Sequence, residues 1–179
     1  MKNTPRIFRE TRFRLPGQPE RDMALWVDRI GAGPGGAWSP GRLRLLGQYA
    51  AVAVDSGRGK FFSPAAGHIF LAAGDVLLLF PGEPSRYEAS PNWQTRWIVW
   101  NGPEAEKLVR LGGFSARQPV VRGGAAAVRR MFTGLEPLMQ AESFAALLER
   151  KSLVLGLVAD LVRIRQAGSN SSDPTHRIT

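Results

Sequence analysis

Short apolar runs, separated by turns rich in Gly, Pro and Asp, dominate the middle of the chain. The turn Asp55-Ser56-Gly57-Arg58-Gly59 is one such boundary. Runs of this kind, at regular spacing, are typical of the strands of a sandwich or barrel. The pattern predicts strands at residues 23–30, 43–54, 60–62, 68–71, 76–80, 86–88 and 95–101.

The pattern becomes helical after residue 101. Gly102-Pro103-Glu104 predicts the start of a short helix, because Pro suits a first helical turn, and Gly112-Gly113 predicts its end. A second helix is indicated by apolar residues at i, i+3, i+4 and i+7. Those residues are Val128, Met131, Phe132 and Leu135.

A third helix is predicted between an N-cap at Ser143 and a stop at Gly168. Its apolar stripe is too broad for one buried face, so we expect a second partner. A second copy of the chain is our preferred partner, and burial of both faces within the monomer is the alternative. The homodimer contact is predicted to use Leu147, Leu148, Val154, Leu155, Val158, Leu161 and Val162.

These patterns divide the chain into four regions. Residues 1–20 are expected to form an extended N-terminal arm, 21–122 a barrel, 123–168 a helical dimerisation region, and 169–179 a linker. The expected fold class is mainly β, with a barrel followed by C-terminal α-helices that form the dimerisation element.

Composition narrows the protein class. Hydrophobic residues make up 44% and charged residues 22%, an ordinary globular balance. No apolar run approaches the length of a membrane span, and the first residues lack the apolar stretch of a signal peptide. The chain has no Cys, which excludes disulfides and thiolate metal sites. We therefore expect a cytoplasmic protein without a membrane partner.

The net charge of +9 raises the question of nucleic-acid binding. The basic residues are spread along the chain, apart from a loose group of arginines at positions 6, 9, 12 and 14. No zinc-finger or helix-turn-helix pattern is present. We therefore expect no direct DNA binding by this chain, and interpret the charge as a solvated basic surface.

Three segments in register resemble one family. Residues 74–87, which begin with Gly74-Asp75, resemble the second half of a cupin barrel as found in the sensor domains of AraC-type bacterial transcription regulators. Residues 49–59 and 93–103 resemble the strands before and after it in that family. Gly74 permits a tight corner, and Asp75 can accept backbone amide hydrogens there. The resemblance implies a cupin-type jelly roll followed by dimerisation helices.

A cupin metal site is not expected. Cupin enzymes hold their metal with two or three His and a Glu, whereas this chain has only His68 and His176. Ser85 occupies the position of the second motif's metal-binding His, and His68 is interpreted as a structural strand residue. No arrangement for nucleophilic catalysis and no phosphate-binding loop is present. We predict no metal, no cofactor and no catalytic residue.

The resemblance also implies a ligand site. In arabinose-sensing members a sugar stacks on a Trp and is held by an Arg and a Tyr, and these positions match Trp97, Arg42 and Tyr87. Thr95 replaces a sugar-binding His of the family, so the identity of a sugar ligand is not fixed. Alternation along the strand places Thr95 and Trp97 on one face. Trp38 and Trp26 are further candidates near the pocket's open end.

The leading hypothesis is a small-molecule sensor, with a sugar as the first ligand class. Such a domain would control a helix-turn-helix DNA-binding domain that these 179 residues do not contain. The alternatives are a stand-alone cupin enzyme and a non-catalytic protein that only dimerises. The effector, the promoter, the sign of regulation and any ligand dependence of dimerisation do not follow from the sequence.

Overall fold

The computed structural model describes residues 10–34 and 42–171. In these residues the strands are β1 Glu10–Phe13, β2 Trp26–Pro34, β3 Tyr49–Ser56, β4 Arg58–Ser63, β5 Gly67–Ala72, β6 Val76–Leu79, β7 Arg86–Ala89, β8 Gln94–Asn101 and β9 Val120–Val121. The α-helices are α1 Gln18–Asp22, α2 Pro103–Leu111, α3 Ala125–Leu135 and α4 Phe144–Ser171, with a 3-10 turn at Glu136–Leu138.

The strands form two antiparallel sheets. The large sheet has the order β1-β2-β8-β3-β6-β9, and the small sheet has the order β5-β4-β7. Between them lies a barrel-side core of Val52, Val54, Phe61, Leu71, Leu77 and Trp93. The mainly-β class with helices at the C-terminal end, as expected, is confirmed.

The opposite face of the large sheet is covered by α3 and α4. Side chains alternate between the two faces of a strand, so neighbouring residues of β3 enter different cores. Ala51 and Ala53 belong to this helix-side core, whereas Val52 and Val54 belong to the barrel-side core. The helices contribute Val128, Met131, Leu135, Val154, Leu157 and Leu161 among others.

Several details of the predicted local structure are confirmed. Ser143 caps α4, since its hydroxyl accepts the Ala146 N–H at 3.2 Å. Asp75 stabilises the turn before β6 by accepting the Ala72 N–H at 2.9 Å. The alternation in β8 is also as predicted, with Ile98 and Trp100 in the helix-side core.

Three predicted boundaries are wrong. Residues 43–48 are not part of β3, because Gly47 has a φ of +74° that breaks the extended path, and only Arg44 forms an isolated bridge, to Ser85. The first barrel strand begins at Trp26 instead of residue 23. Helix α4 continues through Gly168 to Ser171, since one helical Gly costs only about 1 kcal/mol and does not by itself end a helix.

The N-terminal arm is also more ordered than an extended segment. Its described part contains β1 and the start of α1. Pro19 lies in the first turn of α1, and the Glu20 carboxylate accepts the Gly17 N–H at 2.8 Å. This arrangement begins a helix that the arm's polar composition did not indicate.

A buried ion network joins the N-terminal segment to the helices. Glu20 accepts hydrogen bonds from Arg14 and Arg150, both at 2.8 Å, and Glu20 and Arg150 are only 4% and 2% exposed. Arg150 also donates to the carbonyls of Leu138 and Ala141. Burial by itself would raise the pKa of Glu20, but the hydrogen bonds from Arg14, the Gly17 amide and Arg150 lower it below its ordinary value. We call these three side chains, Arg14, Glu20 and Arg150, the Glu20 network.

Across the described residues, none of the helices has the length and apolar character that a membrane crossing requires.

Candidate functional site

A cavity of about 520 Å³ lies between the two sheets. A volume in this range suits one small ligand. Strands β1, β2, β3, β6, β7 and β8 and the segment before β3 supply its walls. The lining residues are Thr11, Phe13, Arg29, Arg44, Leu45, Leu46, Ala50, Val52, Leu79, Ser85, Tyr87, Thr95, Trp97 and Val99.

Trp97 supplies an aromatic face to the cavity. It lies in the middle of β8 and pairs across the sheet with Gly31 of β2. The indole ring occupies the space above Gly31, and an added Cβ there would overlap the ring carbons. Glycine at this position therefore allows the ring to lie close against the β2 backbone.

Tyr87 and Thr95 bring hydroxyl groups to the same cavity. Tyr87, on β7, is stacked on Trp93, with ring centroids 6.4 Å apart and planes at 19°. Thr95 is buried on β8, and its hydroxyl donates to the Gly33 carbonyl at a long 3.5 Å. Because hydroxyls both donate and accept, each can serve a polar ligand.

Two arginines give the cavity its charge. Arg29 is held on β2 by a 3.0 Å hydrogen bond to the Gln48 amide oxygen, and its guanidinium lies over the Phe13 ring at 5.9 Å. Arg44 is fixed through its backbone, which exchanges two 2.9 Å hydrogen bonds with Ser85. The bridge brings the segment before β3 to the small sheet's side of the cavity.

Asp28 is the acidic group associated with Arg29, although it does not line the cavity. Its carboxylate accepts hydrogen bonds from the Gln48 amide at 2.6 Å and the Trp26 indole at 3.1 Å. Burial raises the pKa of Asp28, against the opposing effects of Trp26, Arg29 and Gln48. Gln48 therefore connects the aspartate to Arg29 as a neutral link.

The structure brings together three of the six predicted ligand residues, since Trp97, Tyr87 and Thr95 all line the cavity. Arg42 is exposed and outside the lining, whereas Arg44, two positions later, belongs to it. Trp26 also lies outside the lining, with its indole bonded to Asp28. Trp38 lies outside the described residues. The ligand-binding roles themselves remain predictions.

Sequence reasoning missed Arg29, Arg44, Thr11 and Phe13. The register of β2 is irregular between Val27 and Arg29. Regular alternation from the buried Val27 and Ile30 therefore does not show on which face Arg29 lies. The segment before β3 is likewise not a regular strand, so the alternation of side chains could not indicate that Arg44 lines the cavity. No sequence signal marks the pairing of β1 with β2 that brings Thr11 and Phe13 to the cavity.

His68 lies on the exposed side of β5 and packs against Phe62, with ring centroids 4.7 Å apart. His176 lies outside the described residues. Within residues 10–34 and 42–171, His, Asp and Glu side chains form no group of three that could hold a metal ion. The expectation of a metal-free domain stays a prediction.

Helix α4 divides the predicted dimer residues into two sets. Leu147, Val154, Val158 and Leu161 are buried within the monomer. Leu148 and Leu155 are 41% and 36% exposed, and the neighbouring Phe144 is 61% exposed. Val162 is half-buried against the helix-side core. The monomer therefore uses most of the predicted contact for its own core.

A family model for the AraC-like ligand binding domain matches residues 46–158, more than half of the chain. The chain belongs to this family. The matched region begins just before β3 and ends within α4, so it includes most of the barrel and the helix-side core. The resemblance read from residues 49–59, 74–87 and 93–103 is confirmed, and so is the cupin-type fold. No curated protein matches the chain.

Solved structures similar to this AraC-like domain are distant in sequence. The protein YhaK from Escherichia coli is 17% identical over 53% of this chain and 45% of that chain, with a TM-score of 0.41. A putative mannose-6-phosphate isomerase from Ralstonia eutropha is 17% identical over 56% and 87%, with a TM-score of 0.38. A cupin protein from Bacteroides fragilis is 18% identical over 57% and 87%, with a TM-score of 0.36. The YhaK match thus spans less than half of that protein, and none of the three carries information on activity.

Proposed function

We propose that this AraC-like domain is the sensor of a transcription regulator, and that its effector binds between the two sheets. The observation that carries the proposal is the cavity of about 520 Å³, in which Trp97, Tyr87 and Thr95 converge. An aromatic face beside hydroxyl and guanidinium groups suits a small polar molecule that also has an apolar face. Sugars have this character and are the first class to test.

Calorimetry against a panel of monosaccharides tests this proposal. We expect Trp97→Ala to weaken binding by at least about tenfold, since it removes the aromatic face. Arg44→Met should weaken binding more than Arg42→Met, a matched control on the exposed residue outside the lining. A sugar that binds equally well to the wild type and to Trp97→Ala would place its site elsewhere.

We further propose that the domain forms a homodimer through the exposed side of α4. Phe144, Leu148 and Leu155 are separated by four and seven residues, which places them along one side of the helix. They are exposed in the monomer, in contrast to Leu147 and Val154. Such a row of large apolar side chains is a common basis of helix pairing.

Sedimentation of the double variant Leu148→Glu/Leu155→Glu tests the dimer. We expect the variant to be monomeric and still folded, because neither side chain belongs to the helix-side core. Val154→Glu is the contrasting variant and should unfold the domain. A wild-type monomer at all concentrations would refute the dimer.

The N-terminal segment offers a route from the effector to the helices. On β1, Thr11 and Phe13 line the cavity, whereas Arg12, and Arg14 just after the strand, contact the connection between α3 and α4. Arg12 donates to the Glu136 carbonyl at 2.9 Å, and Arg14 donates to Glu142 at 3.2 Å and joins the Glu20 network. We propose that effector binding shifts β1 and thereby re-aims a DNA-binding domain joined to this one.

Hydrogen exchange tests this route. The bound effector should increase protection of the backbone amides between Glu136 and Arg150 in the wild type. Arg14→Gln should retain effector binding and lose that increase, because β1 is then no longer held to the start of α4. Equal protection in both proteins would show that the signal does not pass through Arg14.

We propose that the domain is not an enzyme. The support is its membership of a ligand-binding family and the absence of a metal-ligating group of three among the residues described. Elemental analysis of the purified protein checks this. Stoichiometric iron, manganese, nickel or zinc would favour the alternative, a cupin enzyme.

A further inference from the structure

The polar groups that line the cavity are predominantly hydrogen-bond donors. The guanidinium groups of Arg29 and Arg44 and the indole of Trp97 can donate but not accept. The remaining polar side chains are the hydroxyls of Thr11, Ser85, Tyr87 and Thr95, which can do either. None of the lining residues in the part of the chain that the structure describes is Asp, Glu, Asn or Gln.

A neutral sugar would use these hydrogen-bonding groups only in part. Each sugar hydroxyl brings a donor hydrogen as well as acceptor lone pairs, and a buried donor without an acceptor is costly. A ligand rich in acceptors would match these donor groups more completely. An oxyanion, which accepts at every oxygen, is the group that two guanidiniums bind best.

The charge of the cavity favours the same ligand class. Two lining residues are cationic and none is anionic. The hydrogen-bond and ring partners of Arg29 are neutral, namely the Gln48 amide oxygen and the Phe13 ring, while Asp28 acts on it only electrostatically. Among the described residues no carboxylate forms an ion pair with Arg29, and the nearby Asp28 is bonded to Gln48 and Trp26 instead.

The rest of the wall is apolar. Val52, Leu79 and Val99 face the cavity from the large sheet, and Leu45 and Leu46 from the segment before β3. Such a wall suits a carbon ring or chain and disfavours a free inorganic ion, which would leave these side chains without a partner. The ligand should therefore combine one charged end with an apolar or ring-shaped body.

We propose that the effector is a small organic oxyanion, a carboxylate or a phosphate ester, whose charged group lies between Arg29 and Arg44. This proposal rests on the sensor function proposed above and specifies its ligand class. The expected effector is then an acidic sugar, or another organic acid of similar size, instead of a neutral sugar.

Matched compounds that differ only in the charged group test the proposal. Thermal shift and calorimetry would compare galacturonate and galactose 6-phosphate with galactose, and benzoate and phenyl phosphate with benzyl alcohol. These probes would be followed by a metabolite library in which each acid is paired with a neutral analogue. We expect at least one acid to bind at least about tenfold more tightly than its neutral partner. Whether the carboxylates or the phosphate esters bind more tightly identifies the type of oxyanion.

Variants then locate the charge recognition. Arg29→Met should reduce the preference for the acid over its neutral analogue by about tenfold, and Arg29→Lys should retain part of it. Arg44→Met, at an exposed position, gives an independent reading if Arg29→Met folds poorly. Arg58→Met, on an exposed arginine outside the lining, should change neither affinity.

The outcomes separate this proposal from the sensor function. Neutral compounds that bind as tightly as their acids, and lose affinity in Trp97→Ala, would overturn the oxyanion and leave the sensor intact. An acid preference that survives in both Arg29→Met and Arg44→Met would also overturn it. If no compound binds at all, both proposals fall.

Discussion

The two faces of the large sheet carry different kinds of buried structure. On the helix side, Ala51, Ile98 and Trp100 join α3 and α4 in one continuous apolar core. On the barrel side, the neighbouring Val52, Trp97 and Val99 border a cavity of about 520 Å³ that also contains arginine and hydroxyl groups. The same strands therefore contribute stability through one face and ligand contacts through the other.

This contrast assigns different effects to substitutions one residue apart. Changes on the helix side should lower the free energy of unfolding and leave the cavity's chemistry alone. Changes on the barrel side should alter binding with a smaller effect on stability, because a cavity that holds a ligand is not packed to the density of a core.

The largest effect is expected from Glu20→Gln. The substitution leaves Arg14 and Arg150 facing each other without the carboxylate that pairs them. Breaking a buried ion pair by removing one partner costs about 3–5 kcal/mol. Urea unfolding at neutral pH measures the loss. A cost below about 1 kcal/mol would show that the network contributes little to stability.

The same carboxylate predicts a pH dependence. The pKa of Glu20 in the folded state is lower than its ordinary value of 4.5, so the folded state favours the ionised form. Its contribution to stability is therefore complete above pH 4.5 and declines as the pH falls through the lower folded-state pKa. Glu20→Gln should show a weaker decline in acid than the wild type. Parallel stability curves would contradict this assignment.

The second-largest effect is expected from Leu161→Ala in the helix-side core. Leu161 is buried, and its side chain, together with those of Val76 and Val121, borders the space above Gly124. Removal of a buried leucine side chain costs about 3 kcal/mol, or roughly 6–12 °C in Tm for a domain of this size. Leu111→Ala, on the exposed side of α2, is the control and should cost less than about 1 kcal/mol.

The sequence predicted the helix side better than the barrel side. Apolar periodicity alone identifies Val128, Met131, Phe132 and Leu135, and all four are buried in α3. Apolar periodicity indicates that one face of an element is buried against a continuous surface. The large sheet provides such a surface to α3. Periodicity could not show how α4 divides its broad stripe between the monomer core and the exposed side.

The cavity depends on features that periodicity does not record. Trp97, Tyr87 and Thr95 were found through family resemblance and regular strand alternation. Arg44 was missed because it lies in an irregular segment next to Gly47, and Phe13 because β1 reaches the cavity only through a long-range pairing. Local pattern does not specify which distant strands become neighbours.

A smaller loss of stability, with a large change at the cavity, is expected from Gly31→Ala. The added Cβ would overlap the Trp97 ring, which must move into the cavity. We expect a cost of about 1–3 kcal/mol, typical of overpacking. The indole N–H signal of Trp97 in the NMR spectrum of the nitrogen-labelled protein, assigned with Trp97→Phe, should shift.

The signal of Trp100, on the helix side of the same strand, serves as the internal control and should stay in place. If the Trp97 and Trp100 signals move by equal amounts, the two faces are not independent.

The smallest effect on stability is expected from Thr95→Val. The hydroxyl is buried, but its bond to the Gly33 carbonyl is long at 3.5 Å, so its loss should cost less than about 1 kcal/mol. Because the hydroxyl lines the cavity, effector affinity should nevertheless fall by roughly three- to tenfold, as for one neutral hydrogen bond. Thr133→Val, on the exposed face of α3, should change neither quantity. If stability falls sharply and affinity does not, the Thr95 hydroxyl contributes to the stability of the fold and not to ligand binding. The division between a stabilising face and a binding face of the large sheet would then not hold at Thr95.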